Sequence, residues 1–466
     1  MESNVSRETF TPHVLLINPW ITDFAAYNLW VKPLGLLSIA SLLRRSGFRI
    51  TLIDCLDSYT NRKKFAEGNF SKINIDKPRA LKFIPRNYSQ YGISEASFVE
   101  QLRTLEEPDV IAVTSGMTYW YPGLFKTIQL VKEHFTKVPV ILGGIYATLC
   151  SDHARRHSGV NYIVAGRGDI EALRLIHQLT RSEGAPTFPT QSKTVRDISP
   201  HSAFGKQSRS EPSPFPYPCF DLYSQLGFVC ISTSRGCPLR CSYCASFLLG
   251  ERFSRRNPLD VITEIEFWTR EYGIENIAFY DDALLVEPGT HIVPILKGIL
   301  TRDIRCNFHV PNGLHIREID EELADLLFQC RFKTIRLGLE TSDENEQLGS
   351  GGKVNNLEFQ RAVRNLKRAG YTQQEIGVYI LAGLPDQKAT EVQESIAFVK
   401  KTGAKPILVE YSPIPGTPLF QKAKQISPFD IENEPLFHNN SILPCQWEDF
   451  TLEDYKKIKT DLQENA

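Results

Sequence analysis

The chain has 466 residues, 42% of them hydrophobic, and its 53 basic and 54 acidic residues leave a formal net charge of -1. This length allows two or three domains, and the near-neutral charge gives no electrostatic case for nucleic acid as an obligate partner. Residues 1–7 lack the charged and apolar regions of a signal peptide, and no apolar run approaches the ~20 residues of a membrane span. We therefore expect a cytoplasmic protein without a membrane span, in which thiols stay reduced.

Strand and helix signals alternate through the first part of the chain, residues 10–181. Apolar runs predict strands at 13–18, 49–54, 110–114, 138–142 and 162–165, and helical periodicity marks 34–46 and 125–134. This alternation predicts a parallel sheet with a ligand crevice at the carboxyl ends of its strands. An insertion at 56–108, with a helical stretch at 95–105, is either a binding loop or a solvated excursion.

The turns near the ends of these strands have characteristic sequences: Leu-Leu-Ile-Asn-Pro from residue 15, Lys-Pro-Leu-Gly-Leu-Leu-Ser-Ile-Ala from 32, Leu-Gly-Gly-Ile-Tyr-Ala-Thr from 142 and Val-Ala-Gly-Arg-Gly-Asp from 164. They resemble the cobalamin-binding domain that precedes the catalytic domain in many radical SAM enzymes. The resemblance implies that cobalamin is held by Asn18, Pro19, Trp20, Pro33, Leu34, Gly35, Ser115, Thr118, Gly143, Gly144, Thr148, Gly166, Gly168 and Asp169. Residues 18–34 contain no histidine to ligate cobalt from below, so cobalamin would bind without a histidine lower ligand. The alternative is a Rossmann-like domain that binds nothing and only shapes the active site.

Residues 182–225 are rich in Ser, Pro, Thr and basic residues without a sustained period, which predicts an extended linker. A second strand and helix series follows at 226–420. Its strands are predicted at 228–233, 277–280, 306–310, 334–339, 375–381 and 407–411, with helices at 258–272 and 357–369 among others. Six such units are too few for a complete barrel and suit a partial, open one, with cofactor residues at the strand carboxyl ends.

Three cysteines, Cys237, Cys241 and Cys244, stand at spacings of four and three directly after the first of these strands. A disulfide would use two of the thiols and leave the third unpaired. A closed zinc site needs a fourth ligand, which the neighbouring sequence lacks. A cubane iron–sulfur cluster held by three thiolates keeps one iron open for another ligand. The spacing, with Tyr243 before the last cysteine, resembles the radical SAM signature, in which that iron chelates S-adenosylmethionine. The other seven cysteines are scattered and are expected in the core.

Polar residues follow the later strands. Asp281 and Asp282 come after the second strand, and Glu340 and Ser342 after the fourth. In the resembling family these positions contact S-adenosylmethionine, and the loop of Tyr243 approaches its adenine. Taken alone, a strand-end carboxylate is more often a helix cap.

The tail at 421–466 is expected to form a short extension with a closing helix at 452–465. His438 and Cys445 in this tail are too far apart in sequence to indicate a second metal site, and core packing is the better interpretation.

The expected fold is therefore α/β: an N-terminal Rossmann-like cobalamin-binding domain, a partial (β/α)6 radical SAM barrel and a short helical C-terminal extension. The resemblance implies a [4Fe-4S] cluster, S-adenosylmethionine and cobalamin as cofactors, and an electron donor such as flavodoxin or ferredoxin. It predicts a C-methyltransferase that activates an unactivated carbon with a 5′-deoxyadenosyl radical and methylates it from methylcobalamin. The substrate would be a small molecule, lipid or peptide. Alternatives are cyclisation or rearrangement by the same domains, a radical SAM enzyme without cobalamin, and a non-enzymatic iron–sulfur or redox-sensing protein.

Overall fold

The computed structural model describes residues 11–62, 68–166, 168–180, 217–250 and 252–464. Its N-terminal part contains the strands β1 (His13–Asn18), β2 (Ile21–Asp23), β3 (Arg49–Asp54), β4 (Tyr59–Arg62), β5 (Gly68–Phe70), β6 (Lys72–Ile75), β7 (Tyr88–Tyr91), β8 (Val110–Val113), β9 (Val140–Leu142) and β10 (Tyr162–Ile163). The helices of this part are α1 (Leu34–Arg45), α2 (Glu95–Thr104), α3 (Tyr121–His134), α4 (Ile145–Leu149), α5 (Ser151–His157) and α6 (Asp169–Thr180).

The N-terminal part is built on a five-stranded parallel sheet in the order β10-β9-β8-β1-β3. Every residue of β1 is buried, because alternate side chains enter two separate cores. Leu15 and Ile17 pack into one core, and Val14 and Leu16 pack into the other. Counted along the chain, the core strands lie in the order 2-1-3-4-5, which reverses between β1 and β8. Parallel sheets of this kind bind ligands at that reversal, beyond the carboxyl ends of the strands.

The insertion folds into small antiparallel sheets that the sequence did not reveal. Strand β7 pairs with both β2 and β6, and β4 pairs with β5. These strands are only three or four residues long, and β7 reads Tyr-Ser-Gln-Tyr. Their composition resembles a loop, although Ser89 and Gln90 are buried. The predicted helix of the insertion is present as α2 and starts at a Ser94 cap that accepts a hydrogen bond from the Ser97 amide.

The second part contains the strands β11 (Val229–Ile231), β12 (Ser234–Arg235), β13 (Ser254–Arg255), β14 (Asn276–Phe279), β15 (Asn307–His309), β16 (Phe332–Glu340), β17 (Ile376–Ala382) and β18 (Lys405–Glu410). Its helices are α7 (Ser246–Leu249), α8 (Pro258–Glu271), α9 (Ile292–Thr301), α10 (Glu321–Gln329), α11 (Glu344–Gly349), α12 (Asn356–Ala369), α13 (Ala389–Thr402), α14 (Pro418–Ile426) and α15 (Leu452–Glu464).

Six of these strands form a parallel sheet in chain order, β11-β14-β15-β16-β17-β18. In the described part of the chain β18 does not pair with β11, so the sheet forms an open barrel. Apolar side chains of the outer strand faces pack with helices α8, α9, α10, α12 and α13 in one large core. The predicted fold class is thus confirmed, with all eleven predicted core strands present.

Side chains from the N-terminal part and from the predicted linker pack into the core of the barrel. Trp30 lies in the N-terminal part but is buried in the barrel core, where its ring stacks on His309 with a centroid separation of 3.7 Å. Phe220 and Tyr223, at the end of the predicted linker, also join this core, whereas residues 182–216 of that linker lie outside the described residues. The closing helix is present as α15, and residue 465, where the prediction ended it, also lies outside them.

The tail holds the N-terminal part through buried hydrogen bonds. The Asn439 amide donates to Asp23 at 2.8 Å, and His438 Nδ1 lies 2.9 Å from the Thr118 hydroxyl. His438 and Cys445 are both buried within the tail packing. Core packing, the preferred sequence interpretation of these two residues, agrees with their burial.

Candidate functional site

A cavity of about 460 Å³ lies where the two parts meet, within the size range of small-molecule sites. On the N-terminal side it is lined by residues of α1, by residues of β8 and β9, and by residues that follow β8, β9 and β10: Leu34, Gly35, Leu36, Ser38, Ile39, Leu42, Ala112, Val113, Thr114, Ile141, Gly143, Gly144, Val164, Gly166, Gly168, Asp169 and Ala172. On the barrel side it is lined by Pro218, Ser232, Ser234, Arg235, Gly236, Ser246, Leu249, Gly250, Arg256, Glu264, Tyr280 and Asp282. The cavity therefore lies at the sheet edge predicted for ligand binding.

Glycines form the N-terminal wall of this cavity. Gly144 has φ +96°, and a Cβ there would lie 2.4 Å from the Ser115 carbonyl oxygen. Gly166 has φ +74°, a left-handed conformation that glycine adopts at little cost. A Cβ on Gly35 would meet no heavy atom within 4 Å, since it would point into the open cavity. A bulky, largely apolar cofactor fits such a wall, because the backbone can approach it closely and Ile39, Leu42 and Val164 offer apolar contact.

Seven of the fourteen predicted cobalamin residues line the cavity: Leu34, Gly35, Gly143, Gly144, Gly166, Gly168 and Asp169. No histidine belongs to this lining among the described residues; cobalamin binding without a histidine lower ligand stays a prediction. The contact of these seven residues with cobalamin stays a prediction.

The other predicted cobalamin residues support the wall from behind or point elsewhere. The Ser115 hydroxyl donates to the Gly143 carbonyl at 2.6 Å, and the Thr148 hydroxyl accepts from the Gly166 amide at 2.8 Å. Trp20 is 1% exposed and donates to the Ile93 carbonyl at 2.7 Å. The remaining four, Asn18, Pro19, Pro33 and Thr118, are likewise absent from the described lining. Turn position alone did not tell which residues line the cavity.

The three cysteines lie half-buried in the loop after β11. Antiparallel pairing of β12 with β13 closes the neck of this loop. Two backbone hydrogen bonds fix its tip: the Ser242 amide donates to the Ser350 carbonyl, and the Leu419 amide donates to the Ser242 carbonyl. A Cβ on Gly351 would lie 3.3 Å from the Cα of Cys241, so Gly351 lets the neighbouring chain cover the loop.

The cysteine thiols interact with one another electrostatically. Burial raises the pKa of Cys237 and of Cys241, and the other thiols of the loop add to this rise. The ammonium group of Lys353 acts in the opposite direction and lowers the pKa of Cys241. Within the described ranges no three His, Cys, Asp or Glu side chains converge to hold a single metal ion. A cubane cluster fits this donor set, because each thiolate binds its own iron.

The adjacent carboxylates Asp281 and Asp282 have different surroundings. Asp281 is buried and accepts hydrogen bonds from the amides and hydroxyls of Thr233 and Ser234 at 2.5–3.0 Å. This carboxylate therefore fixes the end of β11 beside β14, and its contact with S-adenosylmethionine stays a prediction. Asp282 lines the cavity, and burial raises the pKa of its carboxyl.

Glu340 ends β16 in a left-handed conformation, φ +66°, which is uncommon for a residue with a side chain. Its carboxylate accepts a hydrogen bond from Lys353 Nζ at 2.7 Å. The same ammonium lies 5.9 Å from the ring centre of Tyr243. Strained residues of this kind cluster at functional sites, and this one places the predicted Glu340 beside the predicted Tyr243 at the cysteine loop.

Ser342 points away from this group, because its amide donates to the Ser395 hydroxyl at 3.0 Å and its own hydroxyl lies 3.2 Å from the same oxygen. Its position ties the end of β16 to α13. The contact of Tyr243, Glu340 and Asp282 with S-adenosylmethionine stays a prediction.

Two charged pairs at the cavity were missed by the sequence interpretation. Arg235 in the neck of the cysteine loop pairs with Asp169 of the N-terminal part at 3.2 Å. Arg256 pairs at 2.5 Å with Glu264, which is 1% exposed. Arg235 and Asp169 are 66 residues apart, and the sequence carries no signal for such a pair. The Arg235–Asp169 pair joins the glycine wall to the neck of the cysteine loop, whereas the Arg256–Glu264 pair lies within the barrel side.

An open α/β barrel with a three-cysteine loop, joined to a parallel α/β domain by a shared cavity, defines a class of two-domain cofactor enzymes. Comparisons with known proteins specify both domains. Residues 231–399 match the Radical SAM superfamily, and residues 84–175 match the B12 binding domain. The chain therefore belongs to the radical SAM enzymes that carry a cobalamin-binding domain, and its cofactors are a [4Fe-4S] cluster, S-adenosylmethionine and cobalamin.

Curated relatives share this arrangement over most of the chain. A methyltransferase from Pyrococcus horikoshii is 24% identical over 75% of this chain and 73% of its own length. The cytidylyl-2-hydroxyethylphosphonate methyltransferase of Streptomyces wedmorensis is 21% identical over 88% of this chain and 81% of its own. Among solved structures, the radical S-adenosylmethionine methyltransferase TsrM from Kitasatospora setae has a TM-score of 0.65 and 18% identity, covering 89% of this chain and 76% of its own. This likeness extends the shared fold across both domains.

The helices of the described ranges are all too short or too polar to cross a bilayer.

Proposed function

We propose that the protein is a methyltransferase that moves a methyl group from S-adenosylmethionine to an unactivated carbon of a small molecule, lipid or peptide. The observation that carries this proposal is the shared cavity. Its glycine wall and Ser234, Arg235 and Gly236, which lead directly into the cysteine loop, face the same space. Two cofactors held on these two walls can act on one substrate between them.

The residues of the chain have separate tasks in this scheme. Cys237, Cys241 and Cys244 would hold the cluster, and the glycine wall would hold cobalamin. When bound, these cofactors supply radical generation and methyl-group transfer. Glu340 with Lys353 and Asp282 offer oriented polar groups for S-adenosylmethionine. The contribution of the protein is to hold the reacting groups in position and to exclude water.

Exclusion of water requires the parts of the chain to stay together, and apolar contacts join them. Leu436 and Ile442 of the tail pack with Phe24 and Tyr88 of the N-terminal part in one apolar cluster. Trp30 fills the barrel beside His309. Both contacts hold the N-terminal part against the rest of the chain.

The test uses protein reconstituted without oxygen with iron, sulfide and hydroxocobalamin, then given S-adenosylmethionine that carries a trideuterated methyl group and a strong reductant. We expect 5′-deoxyadenosine to be released and the label to appear first on the corrinoid and then in a product from a supplied metabolite extract. Methylation consumes two molecules of S-adenosylmethionine per turnover. Absence of label from the corrinoid would refute the methyltransferase proposal.

Cyclisation is the second candidate, because an anaerobic magnesium-protoporphyrin IX monomethyl ester cyclase from Rubrivivax gelatinosus is also a relative, 22% identical over 73% of this chain and 63% of its own length. One molecule of S-adenosylmethionine per turnover without methyl transfer would identify this outcome.

Flavodoxin or ferredoxin is proposed as the electron donor, and the cytoplasm as the compartment. All ten cysteines are free thiols, which suits a reducing environment.

A further inference from the structure

Ser246 contacts the last cysteine of the loop through two of its groups. It follows Cys244 by two residues, and its backbone amide donates to Cys244 Sγ at 3.5 Å. Its hydroxyl oxygen lies 3.2 Å from the same sulfur. A thiol could be the donor in this second contact, but a thiolate that binds iron has no proton to donate. In the protein that holds its cluster, the Ser246 hydroxyl is therefore the donor.

The other two cysteines also have a donor two residues further along the chain. Cys237 receives a hydrogen bond from the backbone of Leu239, and Cys241 receives one from the side chain of Tyr243. A substitution cannot remove the Leu239 amide, and Tyr243 is also a predicted contact of S-adenosylmethionine. The Ser246 hydroxyl is the donor of this set that a substitution can remove without touching a predicted cofactor contact.

The Ser246 hydroxyl also has a second acceptor. Ser246 and Asp282 both line the cavity. Burial raises the pKa of the Asp282 carboxyl, and a hydrogen bond from Ser246 lowers it. A hydroxyl has a single proton to donate, so the Asp282 carboxylate and the Cys244 sulfur compete for it. Ser246 thus links a carboxylate of the cavity to a cysteine of the loop.

We propose that the Ser246 hydroxyl raises the reduction potential of the [4Fe-4S] cluster by donating a hydrogen bond to the Cys244 thiolate. Reduction by one electron makes the cluster and its sulfur ligands more negative. Hydrogen bonds strengthen as the acceptor gains negative charge, so the donor stabilises the reduced state more than the oxidised state. Hydrogen bonds to the sulfurs are among the properties that set the potentials of iron–sulfur clusters. Electron uptake precedes any reaction that this cluster starts, so the inference does not depend on methyl transfer.

The test compares Ser246→Thr with Ser246→Val in the full-length protein reconstituted with its cluster. These two side chains have the same shape, and only threonine keeps the hydroxyl. The midpoint potential is measured by a redox titration in which electron paramagnetic resonance follows the reduced cluster. Ser246→Thr should keep the wild-type potential. Ser246→Val should lower the equilibrium constant for reduction about tenfold, a shift of about 59 mV to lower potential for one electron.

The matched control is Ser242→Ala, which removes a hydroxyl from the same loop. Ser242 is held there by its backbone amide and carbonyl, so the variant should keep the wild-type potential. Iron and sulfide contents and the melting temperature show whether each variant holds its cluster and folds. If Ser246→Val does not hold the cluster, Ser246→Ala, which adds no bulk, takes its place in the comparison.

Equal potentials in Ser246→Thr and Ser246→Val would overturn the inference, and so would a shift of the same size in Ser242→Ala. Asp282→Ala tests the competition for the proton, because it removes the second acceptor. It should raise the potential more in the wild type than in Ser246→Val, which has no hydroxyl to redirect, and equal rises would refute the competition. Methyl transfer to the corrinoid is a separate measurement, so its absence would count against the proposed function alone.

Discussion

Gly35→Leu tests whether the cavity at the domain junction is the cobalamin site. Gly35 is the second residue of α1 and faces the cavity, where a Cβ would meet no heavy atom within 4 Å. A leucine at this position would therefore enter the space assigned to the cofactor without disturbing the protein around it. The matched control is Gly289→Leu, at an exposed glycine outside the cavity lining that also has no heavy atom within 4 Å of the added Cβ.

Gly35→Leu should affect the stability of the cofactor-free protein and its affinity for cobalamin in opposite directions. Leucine is favoured over glycine in helices by up to ~0.8 kcal/mol, so the free energy of unfolding of the cofactor-free protein should stay equal or rise. Overpacking costs about 1–3 kcal/mol, which at ~1.4 kcal/mol per tenfold change weakens the Kd for cobalamin about 5- to 150-fold. A variant that is more stable and yet binds worse would separate cofactor binding from folding.

The assay is quenching of tryptophan fluorescence during titration of the cluster-free protein with hydroxocobalamin, with a urea unfolding curve for each variant. Gly289→Leu should keep the wild-type Kd. A wild-type Kd in Gly35→Leu would refute the assignment of the cavity to cobalamin, since a leucine cannot share that space with the cofactor.

Three further changes probe the rest of the site and its supports. Cys237→Ala should abolish the iron–sulfur absorption after reconstitution. The control Cys306→Ala, which removes a buried thiol outside the loop, should keep this absorption. Equal loss of absorption in both variants would argue against the three-cysteine cluster. Asp281→Asn should lower the free energy of unfolding, measured in urea, by about 1–3 kcal/mol, because an amide cannot accept hydrogen bonds from all the donors around that carboxylate. The affinity for S-adenosylmethionine should change less than twofold. Unchanged stability with a weakened affinity would instead support the predicted cofactor contact. Burial lowers the pKa of His438 from 6.5 to about 4. As the pH falls, this histidine is therefore protonated in the unfolded chain before it is protonated in the folded protein. Its contribution to stability is lost between pH 6.5 and pH 4, and the loss reaches about 2 kcal/mol at pH 5. Urea unfolding at pH 7 and pH 5 should show a loss that is about 2 kcal/mol smaller in His438→Gln than in the wild type, because other histidines with a pKa lowered by burial, such as His291 and His315, titrate in both proteins. An identical loss in both would place this contribution elsewhere.

The sequence was most informative where one physical cause dominates. Strands β1 and β3 were predicted to the residue. Every residue of β1 is buried, and a parallel strand buried on both faces is a continuous apolar run, whereas β3 lies at the edge of the sheet and is only partly buried. The glycine turns were also found, because Gly144 and Gly166 have left-handed backbones that few other residues adopt. The small sheets of the insertion were not found. Strand β2 pairs with β7, more than sixty residues away, and pairing of short polar strands leaves no local pattern.

Side-chain direction was the main information that the sequence lacked at the site. Asp281 and Asp282 are identical neighbours, and both follow a strand whose carboxyl end meets the cavity. Successive side chains of an extended chain point to opposite sides. Asp281 consequently turns to Thr233 and Ser234 of the adjoining strand end, and Asp282 turns to the cavity. The same argument applies to β16, where one register shift between Gly338 and Glu340 decides which residues face inward. A motif thus identifies the strand end, and only the pairing register of that strand tells which carboxylate faces the cavity and which faces the scaffold.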